Sequence, residues 1–224
     1  GCKNCYAERQ HKRLTAMGLS KYSKPFSEVV CHPQTLNEPA KWKKPRMVFV
    51  NSMSDLFHED VPEEFIDQVF ESMFENEQHI YQILTKQPAW MGQYLQSYDI
   101  HMLENIWFGT SVEDDKQFQR IDDLMAWVRN FGGNTFLSLE PLLGPVGGIP
   151  RVGWVIAGAE SGPKRRPCNL MWVDSIVRQC REQNIPVFVK QIPLPSGKIT
   201  TNINHFPNNL RFQEFPQAMI ERLK

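Results

Sequence analysis

Apolar positions along this chain fall in short runs that end on polar or charged residues, and most runs are followed by a stretch with helical spacing. That alternation predicts strand–helix units. Met47–Val50 reads as a buried strand closing on Asn51, Ser52, Met53, Ser54 and Asp55. Pro62 opens a helix on which Phe65, Ile66, Val69, Phe70, Met73 and Phe74 share one face. A strand over 80–84 ends on Thr85 and Lys86, and Pro88–Leu95 is a short helix. A strand from Ile106 runs to Ser111, Val112 and Glu113, followed by a helix over 115–128. Strands over 135–139 and 154–156 end at Glu140-Pro141 and at Gly158-Ala159-Glu160-Ser161-Gly162. A helix over 171–183 and a strand over 186–189, ending on Lys190 and Gln191, complete the alternation. Ahead of these lie a helix over 5–17, stopped by Gly18, and a weaker strand over 26–30 that would carry Cys31 near its end.

Repeated units of this kind imply an α/β protein with a parallel sheet. A doubly wound open sheet and a closed (β/α) TIM-type barrel both fit the alternation. The strand ends favour the barrel, because Asp55, Lys86, Glu113, Glu140, Glu160 and Lys190 would all converge on one mouth. An open sheet would gather only some of them at its switch point. Seven strands are counted, one short of a full barrel. The sequence opens on Gly1 inside a motif, so the expectation is a piece of a longer chain whose first strand and loop, about 15–25 residues, precede it. The barrel domain is expected over 1–192, with 193–224 as an extension packed outside it.

Composition adds little. Apolar residues make up 41% and charged residues 22%, and 25 Lys and Arg balance 25 Asp and Glu. A neutral chain has no overall electrostatic footprint for nucleic acid or membrane, although a local basic mouth remains open. No apolar run is long enough to span a bilayer. The odd set Cys2, Cys5, Cys31, Cys168 and Cys180 does not read as a disulfide framework. Localisation is therefore expected to be cytoplasmic.

The one tight spacing is Cys2-Lys3-Asn4-Cys5. Two thiolates three positions apart can grip a single centre, either zinc or an iron–sulfur cluster. A redox pair or chance spacing is the bland alternative. Cys31, Cys168 and Cys180 read as small buried hydrophobes.

The chain resembles the phage Gp37/Gp68 family. The resemblance rests on Cys2, Cys5-Tyr6-Ala7-Glu8, the run from Phe49 to His58, Leu84-Thr85-Lys86, Gly109 to Glu113, Leu137 to Gly144, Gly158 to Pro163 and Lys190-Gln191. It implies a radical-SAM-like enzyme in which Cys2, Cys5 and one upstream cysteine hold a [4Fe–4S] cluster. The cluster's open iron would bind S-adenosylmethionine, and a reductant would supply one electron. The resemblance leaves the substrate unspecified; a nucleic acid is the candidate, and a protein partner is also expected.

At the mouth, Asn51, Ser52, Ser54, Asp55, Ser111 and Ser161 are the candidate cofactor-binding residues. Glu113, Glu140, Glu160, Lys86 and Lys190 are the candidate catalytic residues. The bland reading makes the glutamates structural, paired with Lys86 and Lys190. The loop after Glu160 carries Lys164, Arg165 and Arg166 and sits where barrels often bind phosphate. Two other functions are weighed: a non-catalytic protein with structural zinc, and a barrel hydrolase using the mouth carboxylates.

Overall fold

The computed structural model describes residues 2–96, 104–131 and 134–224. Gly1 of the motif lies outside them, as does the side chain of Cys2.

Six strands, β1 (Met47–Val50), β2 (Ile80–Thr85), β3 (Ile106–Ser111), β4 (Asn134–Leu139), β5 (Trp154–Gly158) and β6 (Val187–Pro193), pair in parallel, each with the next in sequence. A two-residue β7 (Ile199–Thr200) returns antiparallel to β6. This order never reverses, so the doubly wound alternative is excluded. The sheet curls into a half-barrel, and among the described residues β1 and β7 do not meet to close it.

Between the strands run α2 (Glu63–Glu75), α3 (Pro88–Leu95), α4 (Gln119–Phe131) and α5 (Leu170–Glu182); α1 (Tyr6–Ala16) precedes β1, and α6 (Gln217–Arg222) ends the chain. Local sequence explains their starts. Pro62 stands before α2, whose first turn carries Glu63 and Glu64 against the helix dipole. Asn169 caps α5 by accepting from the Met171 N–H at 2.9 Å.

Strand alternation then builds two layers. Tyr81, Ile83, Ile106, Phe108, Leu137, Leu139, Val155, Ala157, Val187 and Val189 face the helices and join Ile66, Phe70, Leu124 and Ile176 in the main core. Each fully buried Val, Leu, Ile or Phe among them contributes about 1.5–3 kcal/mol over exposure. The alternate residues Ile80, Trp107, Phe136 and Trp154 form a second cluster on the inner face. Gly109 belongs to that face, and a Cβ there would stand 2.5 Å from the Phe136 ring.

Three expectations need correction. Residues 26–30 form turns and irregular backbone rather than a strand, and Cys31 is likewise irregular. Phe26, Val29 and Val30 find no sheet to bury them and stay 37–40% exposed. The seventh strand is instead β7. The tail beyond 193 does not lie wholly outside the sheet. Phe206 and Leu210 join the main core, while Met219 packs on the inner face with Trp107 and Trp154. On the way the tail covers the outer edge of β6, where Gln213 bridges Phe188 and the Val189 N–H donates to the Phe212 carbonyl at 2.8 Å.

Candidate functional site

Parallel strands deliver their C-terminal ends to one side, and the sequence-derived candidates lie there. By alternation Ser111 and Ser138 stand on the inner face, paired in register with each other and each about 6% exposed. Two residues on, Glu113 and Glu140 continue the same face, and Glu160 follows β5 in the same parity.

Each glutamate is held by a cation. Glu113, 1% exposed, lies 3.1 Å from Arg120 Nη1 and 3.7 Å from Lys86 Nζ. Arg120 also donates to the Ser111 carbonyl at 2.9 Å. Glu140 accepts from Lys190 Nζ at 2.9 Å on one oxygen and from Gln191 Nε2 at 3.2 Å on the other. Consecutive strand residues normally point apart; both reach Glu140 because β6 bulges beside Gly158 and shifts its register. Glu160 pairs with the Arg166 guanidinium and accepts from the Arg166 backbone N–H at 2.7 Å. Burial alone would raise the Glu160 pKa, but the bonds from Arg166 and Asn4 and the Arg166 charge outweigh it and hold the group at about 2.

The β1 loop is braced rather than open at Asp55. One Asp55 oxygen accepts from Thr85 Oγ1 at 2.7 Å and from the Phe57 N–H, and the other accepts from the Lys86 N–H at 2.8 Å. Asp55 therefore ties the loop after β1 to the end of β2. Asn51 takes a left-handed backbone, φ 55°, which asparagine tolerates better than most residues. Ser52, Ser54 and Ser161 are exposed.

The N-terminal turn joins this side of the sheet. Cys2–Asn4 form a 3-10 turn and Cys5 is the N-cap of α1. Asn4 Nδ2 donates to Glu160 Oε2 at 3.0 Å and to the Lys164 carbonyl at 2.7 Å. The Tyr6 hydroxyl donates to the Ser52 carbonyl. The turn between the two cysteines is thus pinned beside Glu160, and the first helix turn beside the β1 loop.

An iron–sulfur cluster can be tested against these donors. Positions one 3-10 turn apart are eclipsed, so backbone positions 2 and 5 suit two ligands to one centre. Among the described residues no group of three His, Cys, Asp or Glu could hold a metal ion. The turn thus offers backbone positions 2 and 5 as two ligand positions. Cys168 and Cys180 lie in the main core, where burial pushes their thiols up to about 11 and about 12, with Glu214 adding to the second.

Sequence reasoning missed Arg120 as a partner of Glu113, Arg166 as the specific partner of Glu160, and Asn4. The available signal was a guanidinium six or seven residues after a strand-end glutamate. Among the described residues, no helix is long and apolar enough to cross a membrane. A family model described as a protein of unknown function (DUF5131) matches residues 1–202. No curated protein and no solved structure matches the chain.

Proposed function

We propose that this chain, which belongs to the DUF5131 family of proteins of unknown function, is a radical-SAM-like enzyme whose Cys2 and Cys5 supply two thiolates to a [4Fe–4S] cluster. The observation that carries the reading is the pair of bonds from Asn4 to Glu160 and to the Lys164 carbonyl, which fastens the C-x-x-C turn beside the polar strand ends. In this reading the half-barrel is part of a (β/α) barrel, and a further strand pairs with the edge of β1. The apolar inner face is consistent with that, since such a surface is stable only when enclosed.

With S-adenosylmethionine bound, the cluster would supply one-electron cleavage of a sulfonium, a chemistry that belongs to the cofactors. This chain's residues bind and orient. Glu140 is less buried than Glu113 and Glu160, with its side chain 18% exposed, and its partner Lys190 is 52% exposed. Lys190 can therefore turn away while Glu140 accepts from a ligand's ammonium or hydroxyl groups. Ser111 and Ser138 offer hydroxyls deeper on the same face. Asp55, Arg120 and Arg166 hold the frame. The aromatic floor of Trp107, Phe136 and Trp154 excludes water beneath.

Carboxylate hydrolysis is less well supported. A general acid needs a raised pKa, whereas Glu160 is held at about 2. Structural zinc would explain the cysteines but not the polar mouth beside them.

Iron and acid-labile sulfide analysis of the anaerobically purified full-length protein tests the reading. Bound iron and sulfide are expected, with formation of 5′-deoxyadenosine from S-adenosylmethionine after reduction. Zinc without iron in that preparation rejects it.

A further inference from the structure

Charge is unevenly shared along this neutral chain. Residues 1–46 hold ten of the 25 Lys and Arg but only three of the 25 Asp and Glu. Part of that excess stands at the rim of the mouth. Tyr6, Arg9 and Arg13 succeed one another at helical spacing on α1, and all three are exposed. The helix buries only Ala7, so this face has little covering it. The Arg9 guanidinium lies against Gly162, where a Cβ would collide with it. Together with the bond from Asn4 to the Lys164 carbonyl, that contact makes the α1 stripe and the 162–166 loop one continuous rim.

The charges on this rim differ in what they are already doing. Arg166 is committed to Glu160, and Arg165 donates to the carbonyls of Gly162 and Gly197. Lys12 and Lys24 are paired with Glu8 and Glu28. Lys3, Arg9, Arg13 and Lys164 form no ion pair among the described residues. Glu160, the mouth carboxylate bonded to Asn4, is already paired with Arg166, and these four exposed cations have no carboxylate partner among the described residues. Beside them Tyr6 is anchored by its hydroxyl to the Ser52 carbonyl while the residue remains 45% exposed. A fixed, exposed ring among free cations is the arrangement on which an unpaired base stacks while its phosphates are neutralised.

We infer that this rim binds the sugar–phosphate backbone of a single-stranded nucleic acid, with a base on Tyr6, and so presents nucleic acid as the substrate class of the mouth. The inference rests on the proposed enzyme only for what happens next; binding itself needs no cluster. A duplex hides its base faces from such a ring. An anionic bilayer would instead draw on the exposed Met17 and Leu19 at the far end of α1.

The test is fluorescence anisotropy of a labelled single strand of about 12 nucleotides, within the span such sites cover, on the full-length protein with and without reconstituted cluster. With four phosphates neutralised, raising salt from about 50 to about 200 mM should weaken binding about 50-fold, a slope of about −0.7 per phosphate. Arg9→Ala with Arg13→Ala should reduce that slope by about 1.4. Tyr6→Leu should weaken binding about ten-fold. Lys43→Ala with Lys44→Ala removes the same charge before β1, at the opposite end of the strands, and should change neither value. An equal loss from the Lys43/Lys44 pair, or no loss from Tyr6→Leu, overturns the inference. So does preferential binding to vesicles rich in phosphatidylserine that is lost on Met17→Ser with Leu19→Ser. Loss of the cluster with strand binding intact counts against the enzyme reading alone, and a loaded cluster without strand binding counts against this inference alone.

Discussion

Lys190 Nζ lies 2.9 Å from Glu140 Oε2 across fifty residues of sequence, with the lysine side chain half exposed and the glutamate largely buried. Such a partly solvated pair contributes little to folding, about 0–1 kcal/mol. Glu140→Gln should therefore leave the urea midpoint within about 0.5 kcal/mol of the parent. The same substitution should lower S-adenosylmethionine affinity in calorimetry. A variant that binds normally and only unfolds earlier would return Glu140 to a structural role.

Glu160 should behave differently because it is buried and bonded on both oxygens. Removing its charge leaves Arg166 without a carboxylate, so Glu160→Gln should cost about 1–3 kcal/mol. Its folded pKa, about 2, lies below the ordinary value of 4.5. A depressed carboxylate stabilises the fold above its unfolded pKa, and that contribution fades as pH falls from about 4.5 towards 2. The stability gap between parent and Glu160→Gln should accordingly be full at pH 7 and narrow steadily below pH 4.5. Chemical unfolding across that range reads it directly.

Gly109→Ala should place a methyl group into the Phe136 ring, since the Cβ position is 2.5 Å away. Overpacking of this kind costs about 1–3 kcal/mol. Combining it with Phe136→Leu, which clears the ring, should recover part of the loss in a double-mutant cycle. Independent, additive losses would mean that the two residues do not share the inner-face floor.

The cysteines divide into two sets with opposite expected outcomes. Cys5→Ala should abolish iron retention while leaving thermal stability nearly unchanged, because Cys5 is only half buried. Cys180→Ala should retain iron but lower stability by about 0.5–3 kcal/mol, because Cys180 is fully buried in the main core. Iron loss from Cys180→Ala would show that a core thiol takes part in the site.

The alternation of strands and helices was readable because β2–β5 are mostly buried and the intervening helices carry apolar stripes, although Met47–Val50, expected as a buried strand, is only partly buried and leaves Phe49 exposed. Pro88–Leu95 matched residue for residue, with a proline at one end of an apolar segment and polar residues beyond the other. Residues 26–30 misled because Phe26, Val29 and Val30 suit a strand locally, yet no neighbouring strand receives them. β7 was invisible for the converse reason: two residues carry no periodicity, and only the return of the chain onto β6 makes them a strand. At the candidate site the strand-end glutamates were legible from parity and position. Their partners were not, since a cation is selected by three-dimensional reach, as Arg120 and Asn4 show. The β6 bulge was likewise hidden, because it depends on the register against β5.

The two borders of the sheet are unlike. The β6 side is covered by the returning tail around Gln213 and by β7, which is too short to template another strand. The β1 side presents Met47–Val50, with Phe49 43% exposed, and no ladder partner beyond β2 among the described residues. A sheet with a single available border can be extended only once. Two copies meeting through Met47–Val50 would use up both borders and stop at a symmetric pair, whereas a sheet open on both sides could grow into a filament. Backbone self-association through β1 should therefore saturate at a dimer as concentration rises, and the further strand proposed to pair with β1 should abolish it by filling that border.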